Sequence, residues 1–143
     1  MIVLDTTVLV YAAGADHPLR ESCGRLVRAA AEGRLAATTT VEAIQEFADV
    51  HARRRPRATA ARLARLYSEG LAPLLVVDRD ILSRGLDLFE RHDGLGPFDA
   101  VLAAAALAHG AEALVSADRA FRGVAGLRLV EPGTSEGDSL ARG

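Results

Sequence analysis

Ile2, Val3 and Leu4 form an apolar run with no polar alternation, and Asp5 follows them directly. Such a run suits a strand covered on both faces, as in the middle of a parallel sheet. A carboxylate just past it lies at the carboxyl end of the strand, where open α/β sheets place their ligand sites. Thr6 or Thr7 can cap the helix that follows, and Val8, Leu9, Val10 and Tyr11 return its apolar side to the sheet. The arrangement recurs late in the chain, where Ala113, Leu114 and Val115 are followed by Ser116 and Asp118. Strands alternating with helical stretches predict one parallel α/β sheet with helices on both faces.

At 143 residues the chain has the length of a single domain with a real core. Its one cysteine excludes an internal disulfide and a cysteine-based metal cluster, and Cys23 lies in an amphipathic stretch that suits the core. All 17 positive side chains are arginine, so a Walker-type phosphate loop, a Schiff base and a receiver-domain lysine are excluded. A net charge of -2 gives no global pull towards nucleic acid, which any such binding must draw from a local cluster. The longest uncharged apolar run, 100–108, is too short to span a bilayer, and the N-terminus lacks the basic segment of a signal peptide. A cytoplasmic protein is expected.

Residues 19–31 predict a helix with Leu26, Val27, Ala30 and Ala31 inward, and 35–39 predict a second strand. A helix over 40–54, capped by Thr40, carries Glu42, Glu46 and Asp49. Glu42 and Asp49 read as solvated acids, whereas Glu46 sits between Ile44 and Phe47 beside the apolar seam and is a candidate for an inward-looking site. Arg53, Arg54, Arg55 and Arg57 follow, with Arg62 and Arg65 on a helix over 58–71. This patch is either an exposed helix junction or a surface for a phosphate backbone. Tyr67 is its only nearby ring, so base stacking is not indicated. A third strand is expected over 74–77. Asp78 or Asp80 then caps a helix reaching 92, with Ile81, Leu82, Leu86, Leu88 and Phe89 towards the interior. Pro97 opens a helix that is apolar nearly all round and therefore buried, with Asp99 in its first turn, where a dipole role and a catalytic role are both open. An edge strand over 127–130 completes the domain at residue 131, and 132–143 reads as a polar, flexible tail.

Asp5, Glu46, Asp99 and Asp118 can thus reach one cleft. Four carboxylates together repel and raise one another's pKa values, a conflict that a divalent cation resolves. Oxygen ligands select Mg²⁺ or Mn²⁺, which makes a water more acidic for in-line attack on a phosphodiester and stabilises charge on the phosphate.

The segments IVLDTTVLV, TTTVEAIQEF, FDAVLAAAALAHG and LVSADRAF, in this order and spacing, resemble a PIN-domain ribonuclease of the VapC toxin type. The resemblance covers the chain to about Val130. It implies a PIN-like three-layer α/β/α sandwich with a mostly parallel central sheet. Carried over by position, the catalytic acids are Asp5, Glu46, Asp99 and Asp118. Asp5, Asp99 and Asp118 hold the metal, with Thr7, Ser116 and Glu46 in support. Glu42 shares a block with Glu46, and Glu46 is chosen because an aromatic follows it. The resemblance further implies a Mg²⁺- or Mn²⁺-dependent endoribonuclease, a homodimer, and an antitoxin that inserts an arginine or an apolar helix near the cleft. Arg53, Arg54, Arg55 and Arg57 are the expected RNA contacts. The alternatives are a PIN-domain nuclease of RNA processing outside a toxin pair and a non-catalytic PIN-like module that binds RNA or protein. A haloacid-dehalogenase-like phosphotransferase fits poorly, since Thr7 stands where its second aspartate belongs and its lysine is missing.

Overall fold

The structure, a computed structural model, describes residues 1–14 and 16–143. Strand β1 (Ile2–Leu4) leads into α1 (Thr6–Ala12) and α2 (Arg20–Ala31), and β2 (Ala37–Thr38) into α3 (Val41–Ala52), α4 (Arg57–Gly70), α5 (Arg79–Arg91) and α6 (Pro97–Ala108). Strand β3 (Ala113–Val115), a 3-10 turn (Arg119–Gly123), β4 (Leu129–Val130) and α7 (Ser135–Arg142) complete the order. All strand pairs are parallel, in the order β2-β1-β3-β4. The chain therefore steps out from β1 to β2 and returns to β3 on the other side of β1. That reversal opens a crevice at the carboxyl ends of β1 and β3, the place where open α/β sheets bind ligands.

The period of two along the central strands divides the core. Ile2, Leu4, Ala113 and Val115 face a cluster with Leu9, Leu26, Phe47 and Leu71. Val3 and Leu114 face the opposite cluster with Leu95, Leu102, Ala103 and Phe121. The expected three-layer α/β/α sandwich is present. Helix α6 is buried over most of its surface, and its alanines let neighbours come close. Gly85 of α5 uses this proximity, since a Cβ there would lie 2.7 Å from the Val101 Cα.

Several expectations change. The cap of α1 is neither Thr6 nor Thr7 but Asp5, whose side chain accepts from the Thr6 N–H. No strand forms over 74–77. Thr40, the residue that could extend pairing, is already the N-cap of α3, so only one bridge, Thr40 to Leu75, is made. On α2, Ala29 and not Ala31 joins Leu26 and Ala30 inside. On α5, Ile81 is buried, but Leu82, Leu86 and Phe89 are exposed, because the helix turns its Gly85 side to α6. The expected tail is folded: α7 is capped by Thr134 and lies on α2, where Asp138 accepts from Arg25 at 2.7 Å and Ala141 is buried. Gly137 lets α7 fold back over the segment that leads into it, since a Cβ there would meet the Glu131 carbonyl at 2.7 Å. Among the described residues, no helix is long and apolar enough to cross a membrane.

Candidate active site

Asp5, directly beyond the carboxyl end of β1, is 1% exposed. Its Oδ1 accepts from the Thr6 N–H at 2.7 Å, and its Oδ2 from the hydroxyls of Thr7 at 2.8 Å and Ser116 at 2.6 Å. Burial pushes the carboxyl above its ordinary range, and the three donors pull the other way. The Ser116 hydroxyl also accepts from the Asp118 N–H at 2.9 Å, so one oxygen joins the ends of β1 and β3. Asp118 in turn caps the 3-10 turn by accepting from the Ala120 N–H.

Glu46 reaches the same place from α3. Its Oε2 accepts from the Thr6 hydroxyl at 2.9 Å. Burial raises its pKa, the Thr6 bond lowers it, and Asp5 raises it further. Asp99, in the first turn of α6, is pushed up to about 7, first by burial and then by Asp5, Glu46 and Asp118. The four acids named from the sequence are thus brought into one electrostatic neighbourhood. Thr6 is the participant that sequence reasoning missed. Its position between Asp5 and Thr7 suggests only a cap, and its bond to Glu46 depends on how α1 meets α3.

The donor set suits a hard divalent cation. Among the described residues, none of the four acids is paired with an arginine. Nor do three of them close into a ready cluster. Mg²⁺ keeps several waters and takes one or two carboxylates directly, so a site of this kind matches its habits.

Glu42 lies one turn before Glu46 but is not the solvated acid expected. It is half-buried, and its Oε2 is shut off from solvent with no hydrogen-bond partner among the described residues. It lines an apolar groove of about 420 Å³ with Glu46, Leu82, Leu86, Phe98 and Val101. Phe98, 66% exposed, stands at its rim. Replacing each acid by glutamine should separate their roles. Glu46→Gln is expected to cost about 10- to 100-fold in the activity of the acidic site, and Glu42→Gln much less. A larger loss at Glu42 would reverse the assignment.

The arginines at 53, 54, 55 and 57 are all exposed at the α3–α4 junction. Arg53 pairs with Asp49 at 2.7 Å. Tyr67 is not free to stack on a base, since it meets Phe47 edge-on and donates to the Leu9 carbonyl.

The class of protein follows from comparison with known sequences. The PIN domain profile matches residues 2–127, and the chain belongs to the PIN-domain family. Within that family it groups with the VapC ribonucleases. It is 57% identical to "Ribonuclease VapC7" of Mycobacterium tuberculosis over 122 residues, 85% of this chain and 84% of that one. It is 32% identical to "Ribonuclease VapC23" of the same organism over 102 residues, 69% of this chain and 78% of that one. The fold is also that of a chain in the crystal structure of VapBC2 from Rickettsia felis bound to a DNA fragment from their promoter. That match has a TM-score of 0.70 at 19% identity and covers 92% of this chain and 99% of the other.

Proposed function

We propose that the chain is the ribonuclease toxin of a VapBC pair, cutting RNA phosphodiesters by attack of a water at a divalent-cation site. The observation that carries this reading is that Asp5, Glu46 and Asp118 all act on the charge of Asp99, and among the described residues none of the four acids is paired with an arginine. Asp5, Asp99 and Asp118 would hold Mg²⁺ or Mn²⁺, and Glu46 would support them from α3. When bound, the cation supplies acidity to a water and neutralises charge on the phosphate. The chain's own part is orientation. Three donors fix the Asp5 carboxylate, Ser116 ties it to the Asp118 backbone, and Thr6 and Thr7 hold Glu46 and Asp5 from one turn of helix.

Partners follow from the same reading. An apolar antitoxin segment suits the groove of Leu82, Leu86 and Phe98. Phe89, exposed on the same helix, is assigned to a homodimer contact beside that groove. Arg53, Arg54, Arg55 and Arg57 are assigned to the RNA backbone. Sequencing the 5′ ends generated after brief expression would identify the RNA. Cuts that appear only with intact acids support the reading, and an unaltered set of 5′ ends contradicts it.

A further inference from the structure

We propose that a basic basin between α1 and α2, built on His17, Arg20 and Arg28, binds a backbone phosphate of the RNA strand that enters the acidic crevice. The inference rests on the ribonuclease reading above and adds a positioning site outside the acids.

The basin is a cavity of about 690 Å³ between Ala12 at the end of α1 and Arg20, Glu21, Gly24, Arg25 and Arg28 of α2, so one carboxylate stands among its three arginines. Positions 20, 24 and 28 recur every fourth residue and so share one face of α2. Arginine occupies the outer two, and glycine leaves the middle open: a Cβ at Gly24 would meet nothing within 4 Å. The carboxylates at this helix do not neutralise those arginines. Glu21 and Asp138 are both taken by Arg25, at 3.0 and 2.7 Å. Among the described residues no carboxylate pairs with Arg20 or Arg28. His17 is held in place by stacking on Tyr11, with ring centroids 3.9 Å apart and planes 3° from parallel. Its Nδ1 accepts from the Leu19 N–H at 3.1 Å, which leaves Nε2 as the ring's free donor. Two guanidinium forks and one imidazole N–H form a donor set for an oxyanion.

The basin shares an edge of the sheet with the acids. Gly133 lies just beyond the carboxyl end of β4, and a Cβ there would meet the Leu19 side chain at 2.7 Å and the Ser22 hydroxyl at 3.7 Å. The start of α2 therefore stands at the edge where Asp5 and Asp118 stand. Only α1, seven residues from Thr6 to Ala12, separates Asp5 from the basin wall, a span of roughly 10 Å at helical rise. A strand drawn to an acidic crevice needs positive charge beside it, and this basin supplies that charge on the near side.

Affinity of a labelled single-stranded RNA can be followed by anisotropy in EDTA, which prevents metal-dependent cutting, across a range of NaCl. Arg20→Gln with Arg28→Gln should weaken binding about tenfold at low salt and flatten the salt slope by ~0.7, the value for one phosphate on a single strand. Gly24→Glu, which enters open space and leaves both arginines intact, should weaken binding similarly. Wild-type affinity and slope in both variants would overturn the proposal. So would arginine-dependent binding of polyglutamate with no change for RNA, which would assign the basin to an acidic protein segment. A wild-type protein that binds RNA with this arginine-dependent slope but cuts none in Mg²⁺ or Mn²⁺ would remove the nuclease reading and leave the basin. Cutting by wild type, with the variants binding RNA normally, would do the reverse.

Discussion

Asp99→Asn and Asp5→Asn should each lower RNA cleavage in Mg²⁺ or Mn²⁺ by about 100-fold or more while leaving the fold intact. Asp99 is the cleaner of the two. Its pKa is shifted only by burial and by Asp5, Glu46 and Asp118, with no hydrogen bond contributing. An amide of the same shape therefore removes charge without breaking a network. At Asp5 the amide must be accommodated by Thr6, Thr7 and Ser116, whose two hydroxyls can rotate to accept. Circular dichroism and thermal melts would check the fold. Unchanged cleavage in either variant would sink the assignment of the acids.

The second large effect has the opposite sign. In the metal-free protein Asp99→Asn should be stabilising, and most of all above pH 7. The unfolded carboxyl ionises near its ordinary value of 3.8, whereas the folded one ionises at about 7. Between those values the folded state alone holds the proton, so a stability penalty accumulates as pH rises from about 4 to about 7 and is complete above that. A shift of this size corresponds to about 4 kcal/mol in a closed interior. Screening in a crevice that stays partly open brings it to ~2 kcal/mol. The variant's Tm should exceed that of wild type by roughly 4–8 °C at pH 8 in EDTA, with the gap closing towards pH 4. Adding Mn²⁺ should raise the wild-type Tm and leave the variant almost unmoved, since bound cation stabilises only the state that binds it. A gap that widens as pH falls would show that the crowding of Asp99 is misread.

Much of this was legible in the sequence because it is local. Asp5 after Leu4 and Asp118 after Val115 are placed by strand ends, Asp99 by Pro97 at a helix start, and Glu46 by its neighbours Ile44 and Phe47. What the sequence did not show depends on contacts between distant elements. The stripe of Leu82, Leu86 and Phe89 is visible as a pattern, but the pattern does not say whether its partner lies in the same chain. In the fold α5 gives α6 its Gly85 side and leaves the stripe outside. Residues 132–143 looked like a tail because Gly137 and Ala141 carry little hydrophobic signal. Their value is that both are small enough to be buried, Gly137 against Glu131 and Pro132 and Ala141 in the core beside α2. The bond from Thr6 to Glu46 spans forty positions and needs α1 and α3 to meet before it exists.

In the proposed reaction a water, and not the RNA's own 2′-hydroxyl, attacks the phosphorus, and a divalent cation is required. This is tested most directly with an RNA carrying a single 2′-deoxynucleotide on the 5′ side of the mapped cut, incubated with purified protein in Mn²⁺ or in EDTA. The substituted RNA should be cut in Mn²⁺ and not in EDTA, with no 2′,3′-cyclic phosphate among the products. Cleavage that persists in EDTA, or that the single deoxy substitution abolishes with a cyclic phosphate on the unsubstituted product, would contradict the proposed reaction.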